Sequence, residues 1–267
     1  MWETMTEKQK DRRRELKSDS VLHFPLGPLG GYPISALFHD ERYRDLDELI
    51  LALAHVYNDL KAALIFWEVN REFAAPIPET GRISKFFGQN VGLDNYAFRL
   101  QVGIVVELVQ LLKEKKSVFS HNLWRQVLGK LSRKVSADWR KLFQLVDATA
   151  KKGSFEKRLL TLLVKIRSHG GYHYYQTKPF ADGYLHHFSS TGPEAAHAYV
   201  CIGKNLEETR FFFADAAISS ITNSWKADLG GNFDEEFRKY LKAIHSSIRT
   251  IVCTYFRVRK IPYSKLE

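Results

Sequence analysis

The sequence predicts an all-α fold, an antiparallel helical bundle. Apolar residues recur at helical spacing over several long stretches, no segment alternates at a period of two between hairpin turns, and no repeat occurs at solenoid spacing. At 267 residues, 45% hydrophobic and 26% charged, the composition is that of a globular protein with a sizeable core. The expected organisation is an N-terminal arm and Pro/Gly-rich connection over residues 1–40, then a single helical domain over 41–267.

Residues 1–17 mix acid and base without periodicity and predict a solvated helix or frayed arm. Pro25, Gly27, Pro28, Gly30, Gly31 and Pro33 exclude regular helix and predict an extended connection. The first strong helix is expected to begin at Asp45, with Glu48 completing a capping box. Its apolar stripe runs through Leu46, Leu49, Ile50, Leu53, Leu60, Leu64 and Trp67, and Pro76 and Pro78 end any helix. A second helix is expected from near Asp94, carrying Ala97, Leu100, Ile104, Leu108 and Leu111 as far as Lys113, Lys115 and Lys116. Lysines there suit the negative end of the helix dipole.

Two short helices are expected around Trp124, Val127, Leu128 and Leu131, and around Trp139, Leu142, Phe143 and Val146. Another carries Leu159, Leu162, Leu163 and Ile166 on its buried stripe, with Arg158, Lys165 and Arg167 outside it. A loop over 178–192 then leads to Pro193 and Glu194 as a helix start, with a long pattern through Ile202, Leu206, Phe213, Ile218 and Ile221. The last helix is the cleanest. Asn232 and Glu235 form a capping box, and Phe233, Phe237, Leu241, Ile244, Ile248, Ile251 and Val252 give its buried face.

The formal charge of +10 favours phosphate-rich or otherwise acidic partners, although no arginine-rich tail accompanies it. Cys201 and Cys253 lack the spacing of a disulfide or metal set and are expected as buried thiols in a reducing cytoplasm. No apolar run is expected to span a bilayer, and residues 1–17 lack the apolar segment of a signal peptide, so a soluble protein is expected.

Residues 154–176, SFEKRLLTLLVKIRSHGGYHYYQ, gather the most chemistry. An amphipathic helix stops at Gly170 and Gly171, and around that stop lie Arg167, Ser168, His169, Tyr172, His173, Tyr174 and Tyr175. Histidine ionises near neutral pH and arginine is a permanent, planar phosphate clamp, and the spacing that stands out here is Arg167, five residues, then His173. A purely structural role competes with this, because an arginine in a last helical turn is stabilised by the dipole. A metal reading would draw on His169, His173, His186 and His187. The glycines break the helix that would align the first two, so no metal or cofactor is expected. Glu68 and Glu72, one turn apart, could orient Arg167, or serve as solvated charges.

The segment KIRSHGGYHYYQ, with ALIFWEVNREF at 63–73 and Phe86, Phe87 and Gly88, resembles HEPN-domain proteins. Those proteins carry arginine, four to six residues, then histidine; one HEPN-like set reads Arg-Asn-x-x-x-Phe-His-Tyr-Asp. Here Ser168 replaces the asparagine and Tyr175 the aspartate, and the likeness spans 46–188. The resemblance implies a HEPN-like bundle that dimerises around two such motifs and, in many relatives, cleaves RNA without metal. It further implies RNA as substrate and, for toxin-like relatives, an antitoxin or other protein partner. In that chemistry His173 moves the proton, Arg167 stabilises the phosphorane, Ser168 orients phosphate or histidine, and Tyr172, Tyr174 and His169 contact substrate. Relatives that bind RNA or a partner without cleaving it leave a noncatalytic protein- or nucleotide-binding module as the alternative.

Overall fold

The computed structural model describes residues 30–72, 85–147, 153–168, 177–190, 200–202, 204, 209–229, 233–262 and 264–265. The chain divides into two compact units, Met1–Arg44 with Arg259–Glu267, and Asp45–Val258. In the first, β1 (Gly30–Gly31) pairs antiparallel with β2 (Ser264–Lys265), Gly30 opposite Lys265. Asp40 caps the helical turn Glu41–Tyr43 by accepting from the Arg42 backbone N–H. The Arg42 guanidinium also grips the Asp40 carboxyl at 2.7 Å and holds its pKa down to about 2.

The second unit is an all-α helical bundle. Its described helices are α1 (Arg44–Glu72), α2 (Lys85–Glu114), α3 (Asn122–Gly129), α4 (Arg133–Asp147), α5 (Phe155–Lys165), α6 (Thr177–Ser190), α7 (Phe212–Ala227) and α8 (Phe233–Val258). The stripe of α1 is buried as its spacing predicts as far as Leu60, with Leu46, Leu49, Ile50, Leu53 and Leu60 at or below 1% exposure, whereas Leu64 and Trp67 are half-buried and line a cleft. Asp47, fully buried on the same helix, accepts a 2.5 Å hydrogen bond from the Tyr255 hydroxyl of α8. Tyr57 stacks on His245 of α8, and Phe66 meets Tyr96 of α2 edge-on. Together with Lys115 on Glu48, these pairs place α1 antiparallel to both α2 and α8.

Around α3 and α4, Phe119, Trp124, Trp139 and Phe143 form one aromatic cluster, its ring centroids 5.0 to 5.8 Å apart. Edge-on and tilted aromatic packing of this kind joins two helices too short to hold themselves. His121 Nδ1 caps α3 by accepting from the Leu123 N–H, and Ser154 Oγ caps α5 by accepting from the Lys157 N–H. The buried face of α8 is the predicted one except at Val252, which is only half-buried, with Ile244, Ile248 and Ile251 fully enclosed.

Several expectations change. The capping box at Asp45 does not form: Arg44 is already helical, and Glu48 instead takes Lys115 at 2.7 Å, which raises the lysine pKa. The second helix begins at Lys85, nine residues before Asp94, which sits mid-helix and accepts from the buried amide of Asn70 at 2.6 Å. Helix α6 occupies the stretch expected as a loop. Pro179 falls in its first turn, where a missing N–H is tolerated, and Gly183 supplies a close approach to α7. Helix α7 starts only at Phe212, and Ile202 is 78% exposed rather than on a buried stripe. Pro193, Glu194, Leu206 and Asn232 lie outside the described residues, and Glu235 pairs with Lys239 at 2.8 Å.

The cysteines are not buried thiols. Cys201 is half-buried in a bridge with Arg210, and Cys253 is exposed on α8. Contrary to expectation, among the described residues one helix, over Glu41–Asn70, is long and apolar enough to cross a membrane by length and composition. In this bundle its apolar stripe is turned inward, and the buried Asp47 is satisfied by α8.

Candidate functional site: the end of α5

Helix α5 ends as the sequence predicts. Leu159, Leu162, Leu163 and Ile166 enter the core, and Ile166 is fully buried. Burying four aliphatic side chains at ~1.5–3 kcal/mol each fixes the rotation of this short helix, so Arg158 faces solvent and Arg167 remains half-exposed. At 166–168 the helix widens into a π-helical turn, a conformation uncommon in general and frequent at functional sites. Arg167 and Ser168 both sit on that turn.

The Arg167 guanidinium is ion-paired to the Glu107 carboxylate of α2 through Nη2 and Oε1, with side-chain exposures of 40% and 59%. A pair so open to water contributes little to stability, but it fixes the direction of a long side chain. Of the two carboxylates expected from the sequence, Glu68 does not take this place. Glu68 lines a cleft between α1, α2, α7 and α8, and the side chain of Glu72 lies outside the described residues. The Glu107–Arg167 pairing joins residues sixty positions apart on two helices, so no local spacing in the sequence announces it. Two residues earlier, Lys165 stands 4.5 Å over the Trp225 ring of α7, which anchors the outer face of α5.

His169, Tyr172, His173 and Tyr174 lie outside the described residues, so the structure brings together Arg167, Ser168 and Glu107. Family models, curated proteins and solved structures all give no match to this chain. Among the described residues no group of three His, Cys, Asp or Glu side chains is placed to hold a metal ion. His186, a candidate ligand in the metal reading, is exposed on α6 with Nδ1 2.8 Å from the Ser220 hydroxyl of α7. His187 has no described side chain.

Chemically, the π-helical turn offers one oriented cation and one hydroxyl next to the segment 169–176. A guanidinium with one edge on a carboxylate keeps other N–H groups to donate, so it can still engage a phosphate oxygen. The carboxylate also lowers the local positive potential, which limits indiscriminate attraction of polyanions.

Proposed function

We propose that the chain is a HEPN-like RNA-binding protein that cleaves RNA without metal, using Arg167 and His173. The observation that carries this reading is the presentation of Arg167 on a π-helical turn, aimed by Glu107, immediately before the histidine-bearing segment. The net charge of +10 supports a phosphate-bearing substrate. In the proposed reaction a base takes the ribose 2′-OH proton and the oxygen attacks the adjacent phosphorus. The P–O5′ bond breaks, and the leaving oxygen receives a proton. His173 transfers protons, Arg167 stabilises the charge on the phosphorane and Ser168 orients the phosphate. The products are a 2′,3′-cyclic phosphate and a 5′-hydroxyl. A homodimer would gather two such motifs around one strand, and an antitoxin or other protein would be the natural partner of a toxin-like member.

The test is incubation of the purified protein with mixed RNA in EDTA, followed by end-group analysis. Cleavage with those ends, absent on all-deoxy substrate and lowered by roughly two to four orders of magnitude in a folded His173→Ala variant, is expected. Cleavage that needs added metal, or that persists unchanged in His173→Ala and Arg167→Lys, overturns the assignment. A second reading, a noncatalytic binding module, is favoured by Arg167 being already paired with Glu107. It predicts RNA binding that falls in the Arg167 variant, with no cleavage by the parent.

A further inference from the structure

Between α1, α2, α7 and α8 lies a cleft of about 850 Å³, within the size range of small-molecule sites. Three large aromatic side chains stand among otherwise mostly polar residues in its walls: Trp67 from α1, Phe98 from α2 and Phe237 from α8. Its lining includes Gln101, only 6% exposed, whose side-chain Nε2 is enclosed and has no hydrogen-bond partner among the described residues. A buried amide donor left unmade is costly, so this atom calls for an acceptor from something that enters the cleft.

The charges divide by position. Lys226 is committed to Asp234 at 2.9 Å and lies 4.3 Å over Phe98, while Asp94 accepts from Asn70. That leaves Arg238 and Lys242, one turn apart on α8, facing the cleft with Glu68. The Arg238 guanidinium lies 5.4 Å over the Trp67 ring, a stacked position from which its N–H edges can still reach an anion. A turn further along stands His245, its pKa lowered by burial and then by the positive charges of Arg249 and Lys61.

We propose that this cleft binds a small aromatic carboxylate. The carboxylate sits between Arg238 and Lys242, the ring packs against Trp67 and Phe98, and an acceptor atom at the far end of the ring takes the Gln101 Nε2–H. A monoanion fits better than a phosphate dianion, because Glu68 offsets one of the two uncommitted cations. The site does not involve Arg167, so its occupancy is independent of RNA cleavage.

Three probes sharing one ring test this on the full chain by calorimetric titration: para-hydroxyphenylacetate, phenylacetate, which lacks the acceptor, and tyramine, which replaces the acid by a cation. The hydroxy acid should bind saturably at one site per chain, phenylacetate roughly tenfold more weakly, and tyramine without saturation. Arg238→Gln and Lys242→Gln, both on the exposed side of α8, should each weaken the hydroxy acid by about tenfold. Gln101→Leu should make the two acids bind equally. Tyramine binding as tightly as the hydroxy acid, no saturable binding of either acid, or folded Arg238 and Lys242 variants that bind like the parent each overturn the proposal. Should Gln101→Leu fail to fold, the two surface variants and the tyramine comparison still decide it.

Discussion

The Glu107 carboxylate both aims the Arg167 guanidinium and neutralises part of its charge, so its removal should separate two properties that usually move together. In Glu107→Gln, RNA affinity at low salt should rise because one phosphate-repelling charge is gone, and its dependence on salt should steepen. Cleavage of bound RNA should fall, because the cation is no longer held in one direction. Filter binding and single-turnover cleavage on the same variant read the two effects independently; a parallel rise in both would mean that Glu107 does not position Arg167. His245 offers a second single-residue test. Burial, then Arg249 and Lys61, lower its pKa in the folded state below the ordinary 6.5. The unfolded chain therefore binds the extra proton first, and the contribution of His245 is complete above about pH 6.5 and lost as pH falls below that value. Denaturant midpoints of the parent should drop between about pH 7 and 5.5 more than those of His245→Gln, and equal slopes would remove the assignment.

Helices α6 and α7 make the most extensive helix–helix packing in the described residues, and Gly183 is what permits it. A Cβ at that position would stand 2.3 Å from the Ala217 carbonyl oxygen and 3.0 Å from Ile221 Cβ. Because the nearer atom is backbone, it cannot swing aside. Gly183→Ala should lower stability by about 1 to 3 kcal/mol although alanine favours helix, and a thermal midpoint equal to the parent's would mean that the two helices separate freely. The same glycine explains why α6 was hidden: with Pro179 and a polar, His-rich composition it marks a loop by local rules, and only the neighbouring helix gives it a helical purpose. By contrast α4, α5 and α8 were legible, since each carries an uninterrupted apolar stripe facing one core. The start of α2 at Lys85 is masked in the sequence by the capping-type residue Asp94, which is in fact a mid-helix side chain bound to Asn70. At the candidate site, the position of Arg167 at the edge of the α5 stripe followed from periodicity. Its partner Glu107 did not, because pairing between helices leaves no trace in spacing.

For the molecule as a whole, forty basic against thirty acidic side chains give a surface that should bind polyanions by counterion release. RNA affinity is expected to fall steeply between low and physiological salt, and the protein to scatter light as a dimer at micromolar concentration; salt-insensitive binding by a monomer would contradict both parts of the proposed function. The buried bond from Tyr255 to Asp47 spans 208 positions and draws on the first and last long helices of the bundle. Ribosomes deliver α1 long before α8, so for most of translation the leucines of α1 and its carboxylate have no destination. The bundle can close only after α8 has left the exit tunnel, and a chain stalled short of Tyr255 would present a long apolar helix to chaperones rather than a smaller folded protein.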